Sequence, residues 1–297
     1  MGYGNYSESA HQALISARSS LPVEQVFRQR ACHPLMNPKG VRVRESRDSA
    51  DHPKSLGIVF ALDVSGSMGE IPHLLATQQL PLFMKVLMDC KIPDPQVLFM
   101  AFGDAVCDTA PLQVGQFEST AELIDQWLTW TYIESGGCSD QESYELAMYF
   151  LAAHTEMDCF VKRNKRGYLF MTGDEVPYPM LSRHVVEAVV GDRLDEDIPC
   201  EEVVAELQKT FTPFFVIPDR KRAQTCERTW RNLFGDHVLC LRSSEDVCFV
   251  TAGAILLCEG LVGEVNQLAS LLRQAGMPAS REKSVMQSLL PLAQIRL

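Results

Sequence analysis

One stretch near the start of the chain limits the possible folds more than any other. An uninterrupted apolar run at residues 58–62 leads directly into Asp63. Ser65 and Ser67 follow at alternate positions, and residues 70–90 are compatible with a helix. A short apolar run bounded by turn residues is typical of a strand buried on both faces of a sheet. Asp63 and the two serines are therefore predicted to lie where a central strand ends and a helix begins.

These three side chains form a candidate site for a divalent cation. Residues i, i+2 and i+4 of an extended backbone point the same way, so the oxygens of Asp63, Ser65 and Ser67 can converge on one point. One carboxylate and two hydroxyls form a hard, all-oxygen ligand set that suits Mg²⁺ or Mn²⁺. Other loops, water or a partner must complete an octahedron. The alternative is an ordinary strand-to-helix turn in which Ser67 caps the helix.

The pattern Asp63-x-Ser65-x-Ser67 after a buried strand resembles the metal-ion-dependent adhesion site (MIDAS) of von Willebrand factor type A (vWA) domains, in particular those of intracellular proteins. The resemblance implies a Rossmann-like, doubly wound sheet and a metal site built from three loops. These are the present loop, a paired-glycine loop that usually carries a threonine, and a later loop with an aspartate after a strand. Residues 55–258 are identified as the vWA-like domain, residues 1–54 as an N-terminal arm and linker, and residues 259–297 as a C-terminal helical extension.

The second loop departs from this family pattern. Gly136 and Gly137 supply the paired glycines, but no threonine follows them. Its place falls near Glu142 when counted back from the next helix, and at Ser139 or Asp140 when counted forward from the glycines. Spacing does not decide among the three candidates, and either Ser139 or Asp140 is expected to cap the helix. A third carboxylate would make the site hold metal more tightly and attract an acidic partner less.

Asp174 is the candidate ligand from the third loop. It follows an apolar run at residues 167–172 in a Gly-Asp turn, where the family more often has Thr-Asp-Gly, so Glu175 is a weaker candidate. Asp104 and Asp108 lie in a loop after another predicted strand. Aspartates in such loops are usually turn residues, and a second acidic site formed by these two is left open.

Apolar and amphipathic segments alternate along the chain and predict an α/β fold with a mostly parallel central sheet flanked by helices. After the first strand, the predicted strands are residues 96–102, 110–114, 167–172, 212–217 and 238–241. The predicted helices are residues 119–130, 144–153, 182–190, 200–210, 223–234 and 243–258. The arm is expected to hold helices at 7–19 and 23–30 and a short strand at 41–44. The extension is expected to hold helices at 261–274 and 282–295, with an apolar stripe that packs back on the domain or docks a partner helix.

Composition argues against several classes of function. The chain has 297 residues, 46% of them hydrophobic, and a net charge of −11, which suits one globular domain with extensions. The acidic balance argues against binding nucleic acid or an anionic membrane, and short basic clusters such as residues 220–222 are interpreted as solvated turns. The 10 cysteines show no zinc-ligand spacing and the N-terminus no signal peptide, which predicts a reduced, cytoplasmic protein.

The resemblance implies a binding module rather than an enzyme. In vWA domains of this type, a bound Mg²⁺ or Mn²⁺ with an open coordination position binds an oxygen group of a protein partner. Intracellular relatives often serve as adaptors or regulatory subunits of multi-protein systems, including AAA+ ATPases. Two alternatives stay open. One is a vWA domain with a purely structural site, and the other is a serine hydrolase with Ser67 as nucleophile, Asp174 as acid and His184 or His237 as base.

Overall fold

The computed structural model describes residues 4–66, 68, 70–136, 139–262 and 265–294, and within them a six-stranded sheet forms the centre of the fold. Its strands are β1 Leu56–Asp63, β2 Pro95–Phe102, β3 Leu112–Val114, β4 Gly167–Thr172, β5 Phe211–Ile217 and β6 Val238–Cys240. The order across the sheet is β6-β5-β4-β1-β2-β3, and only the edge strand β3 runs antiparallel to its neighbour. The doubly wound, mostly parallel α/β class predicted from the sequence is confirmed.

The apolar runs become strands because helices cover both faces of the sheet. Every residue of β1, β2 and β4 is buried. Side chains on both faces of these strands are therefore shielded from water, which favours a continuous apolar run over an alternating one. The Phe60 ring at the centre stacks at 5.6 Å on Phe99 of β2 and on Phe170 of β4. Aromatic contacts of this kind between neighbouring strands help to set their register.

The helices that the structure describes surround this sheet. They are α1 Glu8–Ser16, α2 Val23–Val26, α3 Glu70–Leu74, α4 Leu80–Asp89, α5 Ala121–Thr129, α6 Tyr144–His154, α7 Asp158–Val161, α8 Arg183–Val189, α9 Cys200–Thr210, α10 Arg220–Phe234, α11 Val247–Cys258, α12 Val265–Gln274 and α13 Glu282–Gln294. α4 packs against α11, and α6 packs against α9. The helix after β1 is divided: a π-helical turn, Leu75–Gln79, precedes Pro81, which has no N–H to donate to a regular helix.

The N-terminal arm packs on the domain. Arg18, just after α1, donates from Nε to the Ala76 carbonyl at 2.6 Å and binds the Asp125 carboxylate on α5. Phe27 joins the hydrophobic core. The predicted strand of the arm forms slightly later than expected, as Arg44–Ser46, and pairs in parallel with Thr155–Met157.

The C-terminal extension also packs back on the domain. Leu268 and Leu272 of its apolar stripe are fully buried in the core, as is Leu289 of α13. Gly253 of α11 allows this close approach, because a Cβ there would lie 2.6 Å from a Leu289 methyl group. The Ser288 hydroxyl donates to the Cys240 carbonyl at 2.8 Å, which ties α13 to β6.

Two further findings concern the cysteines and the membrane. Cys107 is exposed and disulfide-bonded, so the expectation of reduced cysteines is wrong for this residue. The other cysteines among the described residues are free, and Cys159, Cys200 and Cys248 are among those buried as small apolar side chains. No helix of the described part combines the length and apolar character that crossing a bilayer requires.

Candidate metal centre

The strand order places a crevice at the carboxyl end of β1. From β1 the chain moves outward through β2 and β3, and then returns to the other side of β1 with β4, β5 and β6. Loops leave in opposite directions at such a switch point, and ligands of open α/β sheets bind in the crevice between them. β1 ends at Asp63, and β4 ends at Thr172, two residues before Asp174. The topology therefore brings the first and third predicted loops to one crevice.

Backbone hydrogen bonds join the second loop to the other two. The Ser135 N–H donates to the Val64 carbonyl at 3.3 Å, and the Gly66 N–H donates to the Gly136 carbonyl at 3.2 Å. On the other side, the short strand Gln141–Glu142 pairs in parallel with Val176–Pro177, directly after the third loop. The three loops that the resemblance implied are therefore held together by main-chain contacts.

Asp63 lies at the bottom of the crevice and is fully buried. Its Oδ1 accepts from the Ser65 N–H at 2.8 Å, and its Oδ2 accepts from the Tyr144 hydroxyl at 3.1 Å. Burial raises the pKa of this carboxyl to about 7, the hydrogen bonds from Ser65 oppose that shift, and the charge of Asp174 adds to it. These hydrogen bonds do not offset the cost of burial, and a bound cation would lower the pKa again.

Glu142 is the residue of the second loop that shares the buried crevice with Asp63. Its side chain is fully buried, neither Oε1 nor Oε2 accepts from an N–H or hydroxyl of a described residue, and the Glu175 carboxyl is its hydrogen-bonding neighbour. Burial, followed by the charges of Asp63 and Glu175, raises the pKa of Glu142 to about 10. Buried carboxylates are normally paired or bound to a metal, so two buried carboxylate oxygens without a donor are unusual.

Ser139 and Asp140, the other two candidates of this loop, are exposed. The Ser139 hydroxyl lies 3.2 Å from Asp104 Oδ2 and accepts from the Gln141 N–H at 3.1 Å. Neither residue caps α6, which begins at Tyr144. The capping prediction is wrong because the short strand Gln141–Glu142 separates both residues from the helix.

Asp174 is largely buried at the other side of the crevice and is paired with a base. Its Oδ2 lies 3.4 Å from Nη1 of Arg222, which is in the first turn of α10. The same guanidinium nitrogen lies 3.3 Å from the Met68 sulfur in the first loop. The side chain of Glu175 is half-buried, and burial followed by the charge of Asp174 raises its pKa. Ser67 lies outside the described residues, so both roles considered for it remain predictions.

Asp104 and Asp108 act as turn residues, as expected. Asp104 Oδ1 accepts from the Val106 N–H at 2.9 Å and from the Tyr178 hydroxyl at 3.0 Å. Asp108 Oδ2 accepts from the Asp104 N–H at 2.9 Å. These contacts are typical of aspartates in turns, and a second acidic site at Asp104 and Asp108 stays a prediction.

The donor set fits a small, hard divalent cation. Asp63 and Glu142 could supply carboxylate oxygens and Ser65 a hydroxyl, and the two Glu142 oxygens accept from no N–H or hydroxyl in the described part of the chain. Within that part, no group of three acidic, histidine or cysteine side chains is gathered closely enough to hold an ion alone. A cation here would therefore depend on hydroxyl, water or partner oxygens as well.

Sequence reasoning missed two residues of this site. Tyr144 is fully buried against Phe215 and Trp230, and a Cβ at Gly173 would clash with its hydroxyl oxygen. Nothing in the sequence separates it from a core aromatic. Arg222 belongs to a basic cluster that was interpreted as a solvated turn, and that interpretation is wrong for this residue because Asp174 holds it over the crevice.

The two histidines considered for a hydrolase occupy other surroundings. His237 Nδ1 lies 3.0 Å from the Pro213 carbonyl and its ring stacks on Phe214, while burial lowers its pKa. His184 is exposed in the first turn of α8. These contacts give His237 a role in packing the domain.

Comparisons with known protein families and with curated proteins find no match. Similar solved structures include proximal thread matrix protein 1 from the mussel byssus, at 11% identity and a TM-score of 0.42 over 70% of this chain and 47% of that one. A second structure of that protein, described as having a zinc-occupied MIDAS motif, has a TM-score of 0.41 with the same identity and coverage. The pilus adhesin SpaC from Lactobacillus rhamnosus GG has a TM-score of 0.45 at 11% identity, over 77% of this chain and 31% of that one.

The chain thus spans less than half the length of these neighbours. At this level of similarity, the matches concern only the path of the chain. The fold assignment rests on the strand order and on the crevice that this order creates beside β1. What is established for this protein is the doubly wound, mostly parallel α/β fold.

Proposed function

We propose that this protein is a protein-interaction module whose binding site is a divalent cation held at the carboxyl end of β1. The observation that carries the proposal is the pair of buried Glu142 oxygens, which have no donor among the described residues and lie beside the buried Asp63. Burial without a compensating charge keeps this carboxyl protonated, so we propose that a cation bound in the crevice is the partner that allows it to ionise.

The proposed ligands come from all three loops. Asp63, Ser65 and Glu142 are the described residues proposed to hold the ion, while Ser67 and Asp174 are the further ligands predicted from the sequence. Mg²⁺ or Mn²⁺ would supply an open coordination position for an oxygen group of the partner. Tyr144, which donates to Asp63, would keep that carboxylate oriented toward the crevice.

Isothermal titration of Mg²⁺ and Mn²⁺ into chelator-treated protein tests the metal site. We expect binding by the wild type and at least about tenfold weaker binding by Glu142→Gln, as for loss of a metal-site group. Glu145→Gln is the matched control, because Glu145 is also a buried glutamate but accepts from the Tyr178 N–H at 3.2 Å. Absence of binding by the wild type, or equal binding by the two variants, would overturn the proposal.

The partner is proposed to be a protein of a multi-protein system, and an AAA+ ATPase is the class that the vWA resemblance suggests. Affinity capture from native lysate, with Mg²⁺ and with chelator, tests this part for the wild type and for Asp63→Ala. A partner of the metal site should be lost both in chelator and in the variant. A partner retained in both would bind another surface of the protein.

A further inference from the structure

A guanidinium lies between the first and third loops of the candidate metal centre. Nη1 of Arg222 is 3.4 Å from Asp174 Oδ2 and 3.3 Å from the Met68 sulfur. Met68 directly follows Ser67 in the first loop, and Asp174 is the predicted ligand of the third loop. A side chain of α10, outside every recognised motif, therefore contacts two of the three loops that would share an ion.

The start of α10 fixes Arg222 in this position. Asp219 caps the helix, and its Oδ1 accepts from the Lys221 and Arg222 N–H groups at 2.8 and 3.0 Å. Its other oxygen lies 3.1 Å from the Arg222 Nε. One turn later, the Thr225 hydroxyl lies 3.4 Å from the Asp174 carbonyl. One carboxylate thus caps the helix and directs the guanidinium, and α10 contacts the third loop at two points.

This arginine offsets part of the negative charge of the crevice. Asp63, Glu142, Asp174 and Glu175 bring four carboxyl groups to the same region, and the charges of Asp63 and Glu175 both act on Glu142. Arg222 is a base that pairs with this group, through Asp174. A guanidinium and a divalent ion are both attracted to the same carboxylates, so they are expected to compete for them.

We propose that Arg222 is a resident counter-cation that competes with the divalent ion for Asp174; this inference rests on the proposed function. Without a divalent ion, the guanidinium neutralises Asp174 and links the first and third loops. When the ion takes Asp174 as a ligand, the Arg222–Asp174 pair weakens. Because linkage is reciprocal, each cation lowers the affinity of the other by the same factor, and Arg222 sets the concentration at which the ion binds.

Titration of Mg²⁺ into Arg222→Gln tests the competition. We expect about fivefold tighter binding than by the wild type, at the lower end of couplings between sites because the pair is partly exposed. Arg222→Lys keeps the charge and should stay closer to the wild type. Arg231→Gln is the matched control, because Arg231 lies on the same helix and pairs with Glu227 instead.

The titration separates the inference from the proposed function. Binding by the wild type together with equal or weaker binding by Arg222→Gln would overturn the inference alone, since Arg222 would then position Asp174 for the ion. No binding by either protein would overturn both proposals. Tighter binding by Arg222→Gln than by the wild type, with Arg231→Gln unchanged, would support the competition.

A second measurement follows the arginine itself in the wild-type protein. Phenylglyoxal modifies accessible guanidinium groups, and peptide mass spectrometry reports the extent at each arginine. If Mg²⁺ releases Arg222 from Asp174, its modification should be faster with Mg²⁺ than with chelator, while that of Arg231 should not change. Unchanged or slower modification of Arg222 in Mg²⁺ would overturn the inference.

Discussion

Asp125 and Glu142 are both buried carboxylates, and the chain treats them in opposite ways. The Arg18 guanidinium from the N-terminal arm binds both oxygens of Asp125, with Nη1 2.8 Å from Oδ2. The side-chain oxygens of Glu142, in the crevice beside β1, accept from no N–H or hydroxyl of a described residue, and their hydrogen-bonding neighbour is another carboxyl group, that of Glu175. An interior carboxylate is tolerated when a cation and donors compensate it. The chain thus supplies the cation for the structural site at Asp125, whereas we propose that the site at Glu142 takes its cation from solution.

Removing Arg18 from its ion pair with Asp125 is expected to cause the largest loss of folding stability. Arg18→Ala would leave the Asp125 carboxylate buried without its cation, which typically costs about 3–5 kcal/mol. Urea unfolding of the variant and the wild type measures this loss. Arg28→Ala in the same arm is the control, because Arg28 is exposed and donates only to the nearby Gln25 carbonyl among its described contacts. A loss as small as that of the control would remove the contrast between the two carboxylates.

Addition of Mg²⁺ is expected to stabilise the folded protein through binding at Glu142. In Mg²⁺ at about 100 times its Kd, the free energy of unfolding of the wild type should rise by about 2.7 kcal/mol. Glu142→Gln should gain little, because the variant lacks the carboxylate that we propose as a ligand. Urea unfolding in Mg²⁺ and in chelator measures both values. An equal gain in the two proteins would show that any stabilising ion binds elsewhere.

The raised pKa values of Glu142 and Asp63 should make the stability of the protein depend on pH. Because folding raises the pKa of Glu142 from 4.5 to about 10, the unfolded chain holds fewer protons between these values, and stability falls as pH rises. Asp63 contributes a further loss of stability with rising pH, between pH 3.8 and about 7, because folding raises its pKa as well. In chelator, the wild type should lose about 2 kcal/mol more than Glu142→Gln between pH 6 and 8. Unfolding curves at several pH values test this, and parallel losses in the two proteins would contradict it.

The smallest predicted effect concerns the orientation of Asp63. Tyr144→Phe removes the hydroxyl that donates to Asp63 Oδ2 but keeps the ring packed on Phe215 and Trp230. We expect Mg²⁺ binding to weaken by about 1 kcal/mol, the usual worth of one hydrogen bond. Tyr149→Phe is the control on the same helix, since its hydroxyl donates to Asp192. Calorimetric titration measures both variants, and equal affinities would show that Tyr144 does not help to orient the ligand.

The fold was largely predictable because parallel strands buried on both faces must be continuously apolar. The run at residues 58–62 lies within β1, and the run at 167–172 coincides with β4. Short elements without a pattern of their own were missed, including Thr155–Met157, which forms only because the N-terminal arm lies beside it. In such a short strand, pairing with a distant segment outweighs local propensity.

The sequence by itself determined that Asp63 and Asp174 lie where apolar strands end, because an apolar run is a local property of the sequence. The strand order, which brings these two strand ends to one crevice, is a property of the tertiary structure. The sequence also did not determine which second-loop residue faces Asp63. Pairing of Glu142 with Pro177 and the approach of α10 to Asp174 decided that Glu142 is buried in the crevice and that Arg222 lies over it. Only the tertiary structure could decide these points, because the direction of a loop side chain depends on contacts with segments far away in the sequence.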